Sequence, residues 1–257
     1  MTIARNMSFS HTMVLDGKLY VLGGLLPFPP QPQQHQYHWM EVFDPSSNTW
    51  EALPNPPSEI HPRQMITAVI ESRKQILVTS LLELPNNERS AYSEAKFYTY
   101  NVTTRCWATL ESPVCKLRGG SIHKLSNVAV GNTLYWAFLE KDYLVVQAYD
   151  LDRDVWFEGS ENIREEFFGK HEYPSYSSKL GRVPFLHLYD QKFCLLMRSD
   201  FSKRSRKWKL LERETHYLNC FIFEVTPIFK SQDEYGFWEL NISVVSVKKS
   251  PIWITIL

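Results

Sequence analysis

Three arginines at similar positions in the chain are the main candidates for binding a partner. Arg5, Arg63 and Arg118 each lie 16 to 20 residues before the end of an apolar run. A guanidinium can bind a carboxylate through two parallel hydrogen bonds. The spacing predicts guanidinium groups on one face of the protein that bind acidic peptide motifs. The alternative is that these arginines are structural and bond the carbonyls of loops.

A Pro- and Gln-rich segment, residues 25–39, joins two apolar runs and ends at Trp39. We expect exposed aromatic side chains in it, with Trp39 contacting a partner, because rigid scaffolds often carry binding residues on loops. The alternative is a variable insertion of polyproline character. His35 and His38 are three residues apart, but no third ligand follows at a suitable spacing, so the pair is a weak metal signal.

Other candidate motifs are few. The basic run 203–209 is either a nuclear-localisation or acidic-partner patch, or a solvated loop tip. The chain has no Gly-x-Ser-x-Gly, no phosphate-binding Gly-rich loop and no His-Glu-x-x-His. The sequence therefore predicts neither catalysis nor a cofactor.

Composition narrows the classes of partner. The 257 residues carry 28 basic and 28 acidic side chains, so the protein has no net positive charge that would favour binding to nucleic acid. No apolar stretch is long enough to span a membrane, and the N-terminus lacks the apolar core of a signal peptide. The four widely spaced cysteines fit reduced thiols rather than a disulfide framework. We therefore expect a cytoplasmic or nuclear protein that binds neither nucleic acid nor membrane.

An Asp or Asn lies six residues before a Trp at three places in the chain. The pairs are Asp44 and Trp50, Asn101 and Trp107, and Asp150 and Trp156. The side-chain oxygen of Asp or Asn can bond the backbone N–H two residues on and begin a turn. Trp then opens the returning strand and supplies a large buried area. Each pair therefore predicts a β-hairpin.

Another predicted hairpin precedes each of these, and the clearest has Asp16-Gly17 between two apolar runs. Four strands that repeat at about 50 residues form one blade of a β-propeller. The predicted blades span about 5–54, 62–111, 118–158 and 180–245, within one domain covering 1–257. In the fourth blade the six-residue offset is lost.

The first unit resembles a kelch repeat. The likeness lies in Leu-Tyr-Val-Leu-Gly-Gly at 19–24, Glu-Val-Phe-Asp-Pro at 41–45 and Asn-Thr-Trp at 48–50. Later units keep the Trp but replace the Gly-Gly pair with Thr79-Ser80, Phe138-Leu139 and Met197-Arg198. The sequence of this unit is similar to that of plant F-box/kelch-repeat proteins. This resemblance implies an all-β, kelch-type β-propeller with about four recognisable blades.

The chain departs from that family in two respects, because no F-box is visible before the first repeat and four blades are few. We therefore expect an incomplete ring. Three explanations remain open: a fragment, a small or irregular propeller that uses residues 242–247 as an extra strand, or a ring that a partner completes.

The resemblance implies a protein-binding module, the substrate-recognition part of an F-box ubiquitin-ligase receptor. One propeller face would hold a target protein while other subunits transfer ubiquitin. The ligase adaptor is an expected partner only if an F-box lies upstream. The alternatives are a kelch scaffold protein without a ubiquitination role and a metal-dependent kelch enzyme.

Overall fold

The part of the chain that the structure describes consists almost entirely of β-strands. A computed structural model describes residues 5–25, 38–57, 60, 65–81, 92–110, 115–118, 126–140, 143–163, 184–201, 215–233 and 236–252. These residues fall into two compact units, Met1–His123 and Lys124–Leu257. Each unit has its own apolar core.

The first unit contains two antiparallel sheets. The first sheet has the order β1-β2-β3-β4, with β1 Arg5–Leu15, β2 Lys18–Leu25, β3 Met40–Asp44 and β4 Thr49–Leu53. The second has the order β5-β6-β7-β8, with β5 Met65–Ile70, β6 Gln75–Leu81, β7 Tyr92–Asn101 and β8 Cys106–Thr109. A 3₁₀ turn, Glu71–Arg73, joins β5 to β6. A short strand, β9 Cys115–Arg118, pairs with the first half of β7 and so extends the second sheet.

The second unit is built on one eight-stranded sheet. Its first four strands are β10 Ser126–Val130, β11 Thr133–Glu140, β12 Tyr143–Asp150 and β13 Val155–Asn162. The other four are β14 Phe185–Tyr189, β15 Lys192–Phe201, β16 Thr215–Gln232 and β17 Phe237–Ile252. The order is β10-β11-β12-β13-β17-β16-β15-β14, and β13 and β17 pair in parallel. Two four-stranded antiparallel units are therefore joined through their last strands.

The three hairpins predicted from the Asp/Asn and Trp spacing are confirmed. Each is closed by a side-chain oxygen that accepts backbone N–H groups at the start of the turn. The bonds to the residue two positions on are Ser46 N to Asp44 Oδ1, Thr103 N to Asn101 Oδ1 and Asp152 N to Asp150 Oδ1, all 2.9 Å. The residue two positions before each Trp is left-handed: Asn48, Arg105 and Asp154 have φ of 55°, 57° and 54°.

Each Trp lies opposite an aromatic ring on the preceding strand. The register pairs Phe43 with Trp50, Tyr100 with Trp107 and Tyr149 with Trp156. Their ring centroids are 5.1, 5.2 and 4.7 Å apart, respectively. Aromatic pairs across strands stabilise a hairpin beyond the area they bury. The aromatic residue immediately before the Asp or Asn is therefore a second conserved position of the repeat within this chain.

A related turn closes the fourth hairpin, where the sequence showed no six-residue offset. Asp233 Oδ1 accepts the backbone N–H of Phe237 at 2.8 Å, and Gly236 is left-handed with φ of 84°. Trp238 follows Asp233 by five residues rather than six. The left-handed residue still lies two positions before the Trp. The bond itself differs, because Asp233 accepts the N–H four positions on rather than two.

The tail that the sequence offered as an extra strand belongs to β17 instead. Residues 242–247 pair with β16 along a ladder that continues from Leu240 to Ile252. Alternating apolar residues bury Leu240 and Ile242 in the core of the second unit. The alternation shifts by one residue at Val245, where a β-bulge interrupts the register with β16. One long strand still forms, since no turn residue separates the two segments.

Gly159 lets β13 and β17 approach closely. A Cβ atom at this position would lie 2.1 Å from the Leu240 carbonyl oxygen and 2.8 Å from the Leu240 Cβ. No side chain fits at those distances, so the parallel pairing of β13 with β17 requires glycine here.

We predict that Gly159→Ala lowers the free energy of unfolding by about 1–3 kcal/mol, because one of the two strands must move. Urea denaturation measures this change. Ser160→Ala is the matched control, since Ser160 is the exposed neighbour on the same strand and should change the stability by less than about 0.5 kcal/mol. Equal stability of the two variants would contradict the close approach.

Candidate functional site

The Arg5 side chain is held in a buried ion pair at the start of the first sheet. Its Nε lies 3.1 Å and its Nη2 2.8 Å from Glu41 Oε2. The two side chains are 2% and 0% exposed. A buried carboxylate is tolerated only when it is paired and hydrogen-bonded. Arg5 therefore supplies the counter-charge that allows the Glu41 side chain to be buried.

The same guanidinium binds both ends of the connection between β2 and β3. Nη1 donates to the carbonyl oxygens of Gly23 and of Trp39, the latter at 3.0 Å, and Nη2 donates to His38 O at 2.9 Å. Gly23 N also donates to Trp39 O at 2.9 Å. We call Arg5, Glu41 and the carbonyls of Gly23, His38 and Trp39 the Arg5 anchor.

The anchor uses the full donor set of Arg5. A guanidinium has five N–H groups, and five hydrogen bonds are made to carbonyl and carboxylate oxygens. This geometry favours the alternative in which Arg5 bonds loop carbonyls, because no N–H is left to bind an acidic peptide. Arg5 is placed to position the connection between β2 and β3.

Trp39 is buried, so the expectation that it is exposed is wrong. It is 8% exposed and packs edge-on against Trp107, with ring centroids 6.3 Å apart. Its backbone N–H donates to Asn55 Oδ1 at 2.9 Å. The large indole gains more by joining the core of the first unit than by facing water. Trp39 therefore secures the end of the connection rather than projecting from it.

Most of the other candidate residues from the sequence lie outside the part of the chain that the structure describes. Arg63, His35 and the basic run 203–209 lie outside the described residues. Arg118 ends β9, where it pairs with Tyr92. Partner binding by these arginines stays a prediction.

The two sheets of the first unit are fixed to one another by polar contacts at their short turns. Lys74, in the turn after β5, pairs with Asp16 in the turn between β1 and β2. Arg105, in the turn between β7 and β8, makes two hydrogen bonds to Glu51 of β4, one of them 3.0 Å long. This bonding lowers the pKa of Glu51. We call this the turn end of the first unit.

The opposite end of the first unit carries the long connections. In an antiparallel meander every second connection leaves from the same end of the sheet. The connections between β2 and β3 and between β6 and β7 span 26–39 and 82–91, and both leave opposite the short turns. We call this the long-loop end. Arg5 begins β1 there, and Arg118 pairs there with the first residue of β7.

Glu41 and the aromatic residues before the turns were missed in the sequence. Glu41 lies between Met40 and Val42 of β3, whose side chains enter the core, so the strand period places it on the opposite face and its burial left no signal in the sequence. Phe43, Tyr100 and Tyr149 share their position with respect to Asp or Asn, so aligning the three repeats residue by residue would have shown them.

The described strands form four-stranded antiparallel units like the blades of a kelch-type β-propeller, and comparison with known proteins agrees with this fold. A family model described as "Kelch motif" matches residues 8–57. An F-box/kelch-repeat protein of Arabidopsis thaliana is 31% identical over 140 residues, which cover 53% of this chain and 29% of that protein. A putative F-box/kelch-repeat protein of the same plant is 31% identical over 156 residues, covering 61% and 36%.

The chain is therefore similar to plant F-box/kelch-repeat proteins, and it spans about a third of the length of these relatives. The predicted fold class is confirmed: an all-β, kelch-type β-propeller with about four recognisable four-stranded blades.

Among the described residues, no three His, Cys, Asp or Glu side chains lie close enough to share a metal ion. No helix within the described ranges is long and apolar enough to cross a membrane.

We predict that Arg5→Met lowers the free energy of unfolding by about 3–5 kcal/mol, because it leaves Glu41 buried without its counter-charge. Arg105→Met is the matched control. It breaks an ion pair whose two side chains are each 51% exposed, and it should cost less than about 1 kcal/mol. Urea denaturation of both variants and of Arg5→Met/Glu41→Gln gives the comparison. Equal losses in the two single variants would show that the Arg5 anchor does not stabilise the unit.

We predict that Asp44 titrates well below the usual pKa of about 3.9. The Lys18 ammonium, which lies 2.8 Å away, and the hydroxyl and N–H of Ser46 all favour the charged carboxylate and lower its pKa. Because the pKa is depressed in the folded state, Asp44 stabilises the fold above its unfolded pKa. That stabilisation is lost as the pH falls through the folded pKa. The carboxyl carbon chemical shift, followed by NMR, reports the midpoint.

Lys18→Met is the matched variant for this titration. It removes the ammonium, whose hydrogen bond is the largest cause of the shift, so the midpoint of Asp44 should rise toward the usual value. An unchanged midpoint would assign the shift to Ser46 alone.

Proposed function

We propose that this chain is a protein-binding kelch module whose first unit holds a partner at its long-loop end. The Arg5 anchor is the observation that carries the proposal. Fixing the ends of a connection lowers the conformational entropy that binding must remove, and the anchor fixes both ends of this one. Anchoring leaves the intervening residues available for a partner, as expected of a binding loop on a rigid scaffold.

Within this site the arginines would have different tasks. Arg5 and Trp39 would act by positioning the connection between β2 and β3. Arg63, which precedes β5 by two residues in the sequence, and Arg118, at the end of β9, would contact acidic groups of the partner. The module would hold its partner without covalent chemistry of its own.

We also propose that the partner is a ubiquitination target and that the chain is the substrate-recognition part of an F-box ubiquitin-ligase receptor. The support is the similarity to F-box/kelch-repeat proteins, which combine an F-box with kelch repeats. The chain covers about a third of those relatives, so docking to a ligase adaptor would depend on an F-box elsewhere in the native protein.

The test replaces residues 26–37 in the native protein with Gly and Ser over the same length. Partners are captured by cross-linking and affinity purification and are quantified by mass spectrometry. We expect at least about a tenfold loss of the specific partner, equivalent to about 1.4 kcal/mol. Thr103→Ala/Thr104→Ala is the control, since both residues are exposed at the turn end.

Two results distinguish binding at the long-loop end from the role in a ubiquitin ligase. Equal capture by the loop variant and the control would contradict binding at the long-loop end. Capture without co-purification of a ligase adaptor and without ubiquitin on the partner would retain the binding module but contradict the ligase role.

A further inference from the structure

Two cysteine side chains meet in the second unit. Cys194 lies on β15 and Cys220 on the neighbouring strand β16, and their Sγ atoms are 3.2 Å apart. The register pairs Cys194 with Ile222 and Leu196 with Cys220, so the two cysteines are diagonal neighbours on one face of the sheet. The opposite face of the same strands carries Phe193, Leu195 and Phe221 into the core.

The two thiols differ in their access to solvent. Cys194 is buried, whereas Cys220 is partly exposed. Leu186, which lies opposite Cys194 on β14, is 46% exposed, so this face of the sheet reaches the surface beside the pair. A small oxidant can therefore meet Cys220 first, with Cys194 held behind it.

We propose that Cys194 and Cys220 form a redox-active dithiol, a modification site at which an oxidant such as hydrogen peroxide creates a disulfide between β15 and β16. This proposal is independent of the proposed function.

The reaction proceeds in two balanced steps. The Cys220 thiolate attacks one oxygen of hydrogen peroxide, the O–O bond breaks, and Cys220 sulfenic acid and hydroxide form. The Cys194 sulfur then attacks the Cys220 sulfur, and the sulfenic hydroxyl leaves as water with the Cys194 proton. Two electrons pass from the two sulfurs to the peroxide. Burial, followed by the contact with Cys220, raises the pKa of the Cys194 thiol, which favours its protonated form before the second step.

The register indicates that the disulfide is reversible. The sulfurs need to approach by only about 1 Å to reach the S–S bond length. Diagonal neighbours, however, have Cα atoms about 7–8 Å apart, beyond the usual range for disulfides. The two strands must shift locally to close the bond, and disulfides formed under such strain are readily reduced.

Bond formation would also close a covalent ring around the connection between β15 and β16. That connection spans 202–214 and contains the basic run 203–209. Oxidation therefore restrains the two ends of the most basic segment of the chain.

The test uses the full chain with Cys106→Ser and Cys115→Ser, which leaves only the pair. We expect peroxide to lower the intact mass by about 2 Da and to protect both thiols from alkylation. Peptide mapping should recover a fragment that links Cys194 to Cys220, and excess reduced glutathione should restore both thiols. The unsubstituted chain is mapped in parallel, so the result does not depend on how the variants fold.

Single variants test the order of the steps. With Cys194→Ser, peroxide should convert Cys220 to a sulfenic acid. With Cys220→Ser, we expect Cys194 to be alkylated at least about tenfold more slowly than Cys220 in the other variant. A gain of about 305 Da from glutathione on Cys220 alone, or over-oxidation without a cross-link, would overturn the proposal.

Discussion

The register of the hairpins depends on one kind of hydrogen bond. A carboxylate or amide oxygen at the end of one strand accepts backbone N–H groups of the following turn, at Asp44, Asn101 and Asp150. Because a strand has a period of two residues, a shift of one residue at the turn would place every later side chain on the wrong face. The turn therefore determines that each Trp lies against its aromatic partner and that the alternate residues reach the core.

The fourth hairpin is closed by a different bond from an aspartate side chain. Asp233 follows the last residue of its strand and accepts the N–H of Phe237 at the start of the returning strand, and Gly236 supplies the left-handed conformation. Gly reaches this conformation without the steric cost that Asn, Arg or Asp incurs. Beyond the turn, β16 and β17 are much longer than the other paired strands, so this turn connects the most extended ladder in the described residues.

The hairpins could be predicted from local patterns in the sequence. The features that could not be predicted depend on contacts between residues that are distant in the sequence. Asp16-Gly17 and the Asp/Asn-to-Trp spacing act within a few residues, so their turns could be located in advance. The partner of Arg5 lies 36 positions away on β3, and nothing local connects the two. The burial of Trp39 depends on Trp107, which lies in the second sheet. The only sequence signal for the parallel pairing of β13 with β17 is Gly159, because glycine is otherwise unfavourable inside a strand.

The Arg5 anchor has a consequence for how this protein can diversify. Three of its acceptors are main-chain carbonyls, at Gly23, His38 and Trp39, and a carbonyl is present whatever the side chain. These acceptors also lie outside residues 26–37, so substitutions within that range remove no bond to the guanidinium. A gene copy that keeps Arg5 and Glu41 can therefore change the sequence of this connection while the first sheet stays unchanged.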